Sequence, residues 1–173
     1  MVTYIAWLRG INVGGKNLLP MKALKVTLSD LGFKDVRTYI QSGNVVFETT
    51  KRSTANLAKK IAAAIEAEFD MQIPVQVLTR DELQEASDAN PYPEGEGKTV
   101  HFFFLSEPPI QADLPAIQAL ATATETFELH GQVFYLHAPD GIGRSKLAAK
   151  AERLLAVSAT GRNLNTVRKV LDM

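Results

Sequence analysis

Val36-Arg37-Thr38-Tyr39-Ile40-Gln41-Ser42-Gly43-Asn44-Val45-Val46-Phe47-Glu48-Thr49 is the stretch on which the fold turns. Val36–Gln41 and Asn44–Thr49 are rich in β-branched and aromatic residues, and the Ser-Gly pair between them suits a tight turn, so the stretch reads as a β-hairpin. Helical patterns flank it. Upstream, Met21–Leu31 is introduced by Pro20 and stopped by Gly32. Downstream, Ser53 caps a helix to Phe69 in which Leu57, Ile61, Ile65 and Phe69 recur every four residues. Strands at Thr3–Arg9 and Pro74–Thr79 and a short helix at Asp81–Ala89 complete the order β-α-β-β-α-β-α.

The same order recurs. A strand at Thr99–Leu105, a helix near Leu114–Ala123 and a hairpin of Thr126–Leu129 and Gln132–His137 about His130-Gly131 come first. A helix at Ser145–Ala156, a short extended piece near Ser158–Thr160 and a last helix at Leu164–Leu171 follow. The expected fold is therefore α+β: two tandem ferredoxin-like (βαββαβ) repeats, each followed by an extra helix, with mixed or antiparallel sheets. Asn90-Pro91-Tyr92-Pro93-Glu94-Gly95-Glu96-Gly97 suits a linker, which sets the repeats at residues 1–92 and 93–173. Tyr4–Leu8 and Val100–Leu105 are apolar at odd and even positions alike, so both faces of each sheet centre are expected to be covered, one by helices and the other by the second repeat.

With 173 residues, 46% of them hydrophobic, the chain can bury a sizeable core. Lys+Arg and Asp+Glu both number 19, which argues against a dedicated nucleic-acid or membrane protein, but the balance hides blocks. Residues 9–60 carry ten basic and three acidic side chains, 66–96 one and nine, 97–140 one and five, and 144–173 seven and two. The lack of cysteine excludes disulfides, thiolate metal sites and cysteine nucleophiles, and fits a reducing compartment. Val2–Leu8 is too short for a signal-peptide core, so the cytoplasm is the expected location and no membrane partner is expected.

In a split βαβ the first two strands run one way and the last two the other. The loop after strand one and the hairpin turn therefore emerge at the same end. That brings the polar loop Arg9-Gly10-Ile11-Asn12-Val13-Gly14-Gly15-Lys16-Asn17 to the turn Gln41-Ser42-Gly43-Asn44. Arg9, Asn12, Lys16, Asn17, Gln41, Ser42 and Asn44 are the candidate ligand-binding residues, with donors suited to a small anionic, phosphate-bearing ligand. By the same topology Arg144, Ser145 and Lys146 approach Thr160, Arg162 and Asn163 as a second basic cluster.

Gly10–Lys16 fits the G-x-x-x-x-G-K part of a phosphate-binding P-loop, but Asn17 stands where Ser or Thr would hold magnesium, and the helix starts only near Pro20. The same residues would also serve simply as an ordered loop, Asn12 and Asn17 bonding the backbone. Lys146, Lys150 and Arg153 form one stripe of their helix, as a solvated face or a phosphate contact would. No RNP1 pattern occupies Asn44–Thr49, and Tyr4 and Trp7 fall on opposite faces of their strand. His101, His130 and His137 lack metal-ligand spacing, and no metal or cofactor is called for. Acylphosphatases offer a fold-level analogy, with an Arg in the first loop and an Asn that positions water, loosely comparable to Arg9 and Asn44.

Leu8–Asn17, followed by Met21, Leu24, Leu28, Gly32-Phe33 and Thr38-Tyr39-Ile40-Gln41-Ser42-Gly43-Asn44-Val45, closely resembles the bacterial family called domain of unknown function 1697. Ser145-Lys146-Leu147 and Thr160-Gly161-Arg162-Asn163-Leu164-Asn165-Thr166-Val167 resemble its C-terminal pattern, with Leu164 where the family often has Trp and Gly161 where it often has Ala. The resemblance implies two ferredoxin-like halves in a cytoplasmic bacterial protein and brings no reaction with it. Four functions stay open: small-anion binding through the first cluster, nucleic-acid binding by the basic blocks including Arg168, a phosphoryl-group hydrolase centred on Arg9 and Asn44, and a protein-interaction scaffold.

Overall fold

A computed structural model describes residues 1–173. Residue contacts divide them into two compact units, Met1–Glu85 with Lys169–Met173, and Ala86–Arg168. Each carries one four-stranded sheet.

The first unit runs β1 (Val2–Leu8), α1 (Met21–Asp30), β2 (Lys34–Tyr39), β3 (Asn44–Thr49), α2 (Thr54–Phe69) and β4 (Val75–Thr79), and leads into α3 (Arg80–Asp88). Its strand order is β2-β3-β1-β4, antiparallel at every pairing, which is the ferredoxin-like arrangement. β1 therefore lies inside, with Ile5 opposite Val46 on one side and Leu78 on the other. Period-two alternation sends Tyr4, Ala6 and Leu8 to the helix side, where they join Leu24 and Leu28 of α1, Leu57, Ile61 and Ile65 of α2, and Phe47 in one core. The four-residue spacing read in α2 is this buried stripe, and Ser53 caps the helix by accepting a hydrogen bond from the Asn56 amide. Phe47 stacks between Tyr4 and Phe33, with ring centroids 5.8 and 4.5 Å away. Ile5 and Trp7, on the other side of β1, are also fully buried. Tyr4 and Trp7 are thus core residues facing opposite ways, not a joint stacking platform for bases. The outer strand β2 has a register irregularity between Lys34 and Arg37, where Asp35 takes φ 46° and its carboxylate pairs with the Arg37 guanidinium at 3.0 Å.

The second unit runs β5 (Val100–Leu105), α4 (Leu114–Leu120), β6 (Thr126–His130), β7 (Val133–His137), a 3₁₀ turn at Ile142–Arg144, α5 (Lys146–Leu155) and β8 (Ala159–Asn163), and leads into α6 (Leu164–Leu171), whose residues from Lys169 on count with the first unit. Its order β6-β7-β5-β8 repeats the first sheet, again antiparallel throughout. Ile117, Leu147, Ala151 and Leu155 of the helices pack on Leu105, Phe134 and Leu136 of the sheet. Three details depart from the sequence expectation. Helix α4 stops at Leu120, not Ala123, because Glu125, itself buried, accepts the Thr122 amide and closes a turn there. Strand β8 extends to Asn163, paired with His101, where only Ser158–Thr160 reads as extended. The stretch Asn90–Gly97 is no loose tether. Asn90 Oδ1 accepts the Tyr92 amide, Arg168 donates to the Pro93 carbonyl, and Gly97 lies so close to the Asn165 amide that a Cβ would overlap it.

Phe47→Ala empties the space between two stacked rings and is expected to cost about 3–5 kcal/mol, whereas Val26→Ala on the exposed side of α1 should change stability by less than about 0.5 kcal/mol. Urea denaturation of the two variants checks the contrast.

Candidate functional site

The end of β1 is clamped on both sides. The Leu8 amide donates to Gly43 O at 2.8 Å and the Arg9 amide to Pro74 O at 3.1 Å. Beyond it, Ile11 and Leu19 are buried and root residues 10–18 in the core. Between those roots the chain makes a miniature hairpin: Asn12 N donates to Asn17 O, and Lys16 N to Val13 O, across a Val13–Lys16 bridge. Gly14 and Gly15 both take positive φ, 59° and 72°, as the tight turns that match strand twist require. The two glycines are there for that turn. The P-loop likeness ends here, since Lys16 stands on the returning arm of a hairpin and α1 begins only at Met21 after Pro20.

Asn12 joins this loop to the β2–β3 turn. Its Nδ2 donates to Leu19 O at 2.9 Å and to Gln41 O at 2.7 Å, while its Oδ1 accepts the Leu19 amide at 2.8 Å. Asn17 Nδ2 donates to Gly10 O at 3.0 Å. Asn44, fully buried, donates from Nδ2 to Tyr39 O and to Ser42 Oγ, both at 3.0 Å. The turn approaches β1 so closely that a Cβ on Gly43, whose φ is +86°, would stand 2.5 Å from Leu8 Cβ. The convergence deduced from topology is therefore present, but its seven residues divide. Asn12, Asn17, Ser42 and Asn44 hold backbone and one another. Lys16 and Gln41 are exposed and Arg9 is half-buried at the same end. Asn44, with its amide committed inside the fold, is badly placed for the water-positioning role of the acylphosphatase analogy.

The second cluster is made of local caps. Ser145 Oγ accepts the Ala148 amide and starts α5, and Asn163 Oδ1 accepts the Thr166 amide and starts α6. Thr160 is buried within β8, and Arg162 Nη1 donates to the neighbouring Gly161 O. Burial pushes the Arg162 guanidinium down to about 10, which leaves it charged at neutral pH. Arg144, Lys146, Lys150 and Arg153 are exposed. Ser145 and Asn163 make no tie of the Asn12 kind.

Two features escape the sequence. An open cleft of about 480 Å³ is lined by Lys51, Arg52, Ser53, Asn56, Leu57 and Lys60 at the start of α2, the opposite end of the first sheet. Lys51-Arg52 just before the capping serine is the signal that could have found it. The other is apolar: Val13, Leu18 and Ile40, in the two clamped loops, are 65%, 65% and 51% exposed.

The histidines have structural settings. His130 pairs with Glu128 at 2.7 Å, and His137 lies 5.6 Å from the Tyr92 ring. His101 is 8% exposed and its Nε2 has no hydrogen-bond partner. No group of three or more His, Cys, Asp or Glu is arranged to hold a metal ion, and no helix is long and apolar enough to cross a membrane.

The model of the family described as "Protein of unknown function (DUF1697)" matches residues 1–135, and the chain belongs to that family. Among solved structures, the conserved bacterial protein SP0830 of Streptococcus pneumoniae matches with a TM-score of 0.69 at 22% identity, over 99% of this chain and 97% of that one. The likeness shows a shared fold from end to end. No curated protein matches.

Two predictions follow from this geometry. Gly43→Ala adds a clash to a positive φ and should cost about 2–4 kcal/mol, against about 1–2 kcal/mol for Gly14→Ala, where a Cβ meets open space. Equal losses in urea titrations would refute the close approach. Burial lowers the His101 pKa, a hydrogen bond to the Lys98 backbone opposing it in part. Below the ordinary histidine value of about 6.5 the unfolded chain then binds more protons than the folded one, so stability falls as pH falls toward the folded-state value. Thermal melts from pH 7.5 to 5 should show that slope reduced in His101→Gln.

Proposed function

We propose that this member of the DUF1697 family binds a small anionic, phosphate-bearing ligand at the loop end of its first unit. Arg9 and Lys16 supply positive charge and Gln41 an amide donor, while Asn12, Asn17, Ser42 and Asn44 keep the two loops in register. The observation that carries this proposal is the Asn12 side chain, which ties Leu19 O and Gln41 O, 22 residues apart in sequence, into one arrangement. Three non-glycine residues there, Asn12, Asn17 and Ile40, hold positive φ. Such over-determined, strained loops collect at ligand sites, where prior ordering removes part of the entropic cost of binding.

Calorimetric titration with orthophosphate, sugar phosphates, acyl phosphates and mononucleotides, at low and moderate salt, tests the proposal. Binding is expected that survives moderate salt, is lost in Lys16→Ala and Arg9→Ala, and persists in Arg52→Ala at the distant cleft. A ligand at 100 times its Kd should also raise stability by about 2.7 kcal/mol in melts. Loss in Arg52→Ala alone would move the anion to the start of α2. Binding only to RNA or DNA, falling steeply with salt, would assign the basic blocks to nucleic acid. Release of phosphate from an acyl or ester substrate would make the site a hydrolase.

A further inference from the structure

We propose that the protein pairs with a second copy of itself along β6, the two strands running antiparallel about Leu129. Main-chain hydrogen bonds show that this edge is open. The Leu105 amide donates to Gln132 O and the Ala138 amide to Thr99 O, so alternate residues of β7, Phe134 and Leu136, turn their main-chain groups to β5. Val133, Tyr135 and His137 therefore turn theirs to His130, Glu128 and Thr126 of β6. Phe127 and Leu129 are left with N–H and C=O directed away from the sheet, and no main-chain hydrogen bond outside the β6–β7 ladder reaches residues 126–130. The ladder is regular over its whole length, without bulge or proline. At the opposite edge of the same sheet, by contrast, the Arg162 guanidinium covers the Gly161 carbonyl of β8.

The open edge is complementary to itself in one register. Phe127 and Leu129 are half-buried on the helix side of the sheet, while Glu128 and His130 are exposed on the other side, 2.7 Å apart. Two copies related by a twofold axis must bring outward main-chain groups to outward ones, which places the axis at Phe127, Glu128 or Leu129. An axis at Glu128 sets two carboxylates directly opposite each other, which is destabilising. An axis at Phe127 runs the pairing into Glu125, which is buried in the turn that receives the Thr122 amide. An axis at Leu129 sets each Glu128 opposite His130 of the second copy, and Phe127 opposite Gly131, which has no side chain to obstruct the ring. Each carboxylate then lies between two imidazoles, and the two Leu129 side chains meet at the rim of the two cores. The charge pattern thus selects a second copy as the occupant. Because the paired edge is short, the dimer is weak, with a Kd of about 10–100 µM.

Sedimentation of the full chain from about 1 to 500 µM tests the proposal, and the wild type should pass from monomer to dimer over that range. Glu128→Lys and His130→Glu should each raise the Kd about tenfold or more, and the double variant, with the pair exchanged, should return to within about threefold of the wild type. Both positions are exposed, so thermal midpoints should stay close to that of the wild type. Glu128→Gln should weaken the dimer, whereas an axis at Glu128 would have it tighten. The chain has no cysteine, so one introduced thiol reports on the axis. Leu129→Cys should give a disulfide-linked dimer under mild oxidation, since hydrogen-bonded partners stand about 5.5 Å apart at Cα, within reach of such a bond. Thr126→Cys should stay unlinked. A monomer at every concentration, a dimer unmoved by Glu128→Lys, a dimer tightened by Glu128→Gln, or linkage at position 126 in place of 129 would each overturn the proposal.

Discussion

In the first sheet β1 has a hydrogen-bonded neighbour on each side, both antiparallel to it, and the loop end of the unit follows from that constraint. A strand paired with β3 on one edge and β4 on the other must leave the sheet where β3 and β4 begin. Leu8 and Arg9 are accordingly held by Gly43 and Pro74, which precede those two strands. The chain cannot spread at this point, so the Arg9–Asn17 loop rises beside the β2–β3 turn. The absence of a side chain on Gly43 is what permits the last step of the approach.

Around this junction, polar side chains do the work that apolar ones do in the core. Loops that leave a sheet expose backbone groups that strands and helices would otherwise satisfy, and each must find a partner. Asn12, Asn17 and Asn44 supply amides of the right length, and all three donate to main-chain carbonyls. Ile11 and Leu19 add apolar anchorage beneath. A segment of high polarity therefore has the order of secondary structure, and the charged groups above it start from a defined place.

The fold was legible because it is written in periodicities. The hairpin of residues 36–49, the i, i+4 stripe of α2, its Ser53 cap and the twofold βαββαβ order are all properties of local sequence. The meeting of the two polar segments was legible too, since strand direction alone dictates it. What each polar residue does there was not, because an asparagine that fastens a backbone and one that receives a ligand look the same in a sequence. Gly14 and Gly15 likewise fit a phosphate loop and a hairpin turn equally well until φ and the Val13–Lys16 bridge separate them. Long-range partners hid the rest: Glu125 ends α4 from within a turn, His101 draws β8 out to Asn163, and Asn165 packs on Gly97 from 68 residues away.

The irregular outer strand β2 bears on how the chain behaves among copies of itself. An edge strand with a regular ladder of open amides is a template for another chain, and the hairpin's β-branched composition is of the kind that joins such ladders. The register break between Lys34 and Arg37 interrupts that template near its start, and the Asp35–Arg37 ion pair sets two charges on it. A strand from a second molecule would meet a twisted, charged edge after only a few residues. The same β2 that delivers Gln41 to the loop end thus also presents an edge poorly suited to pairing with a strand of another molecule.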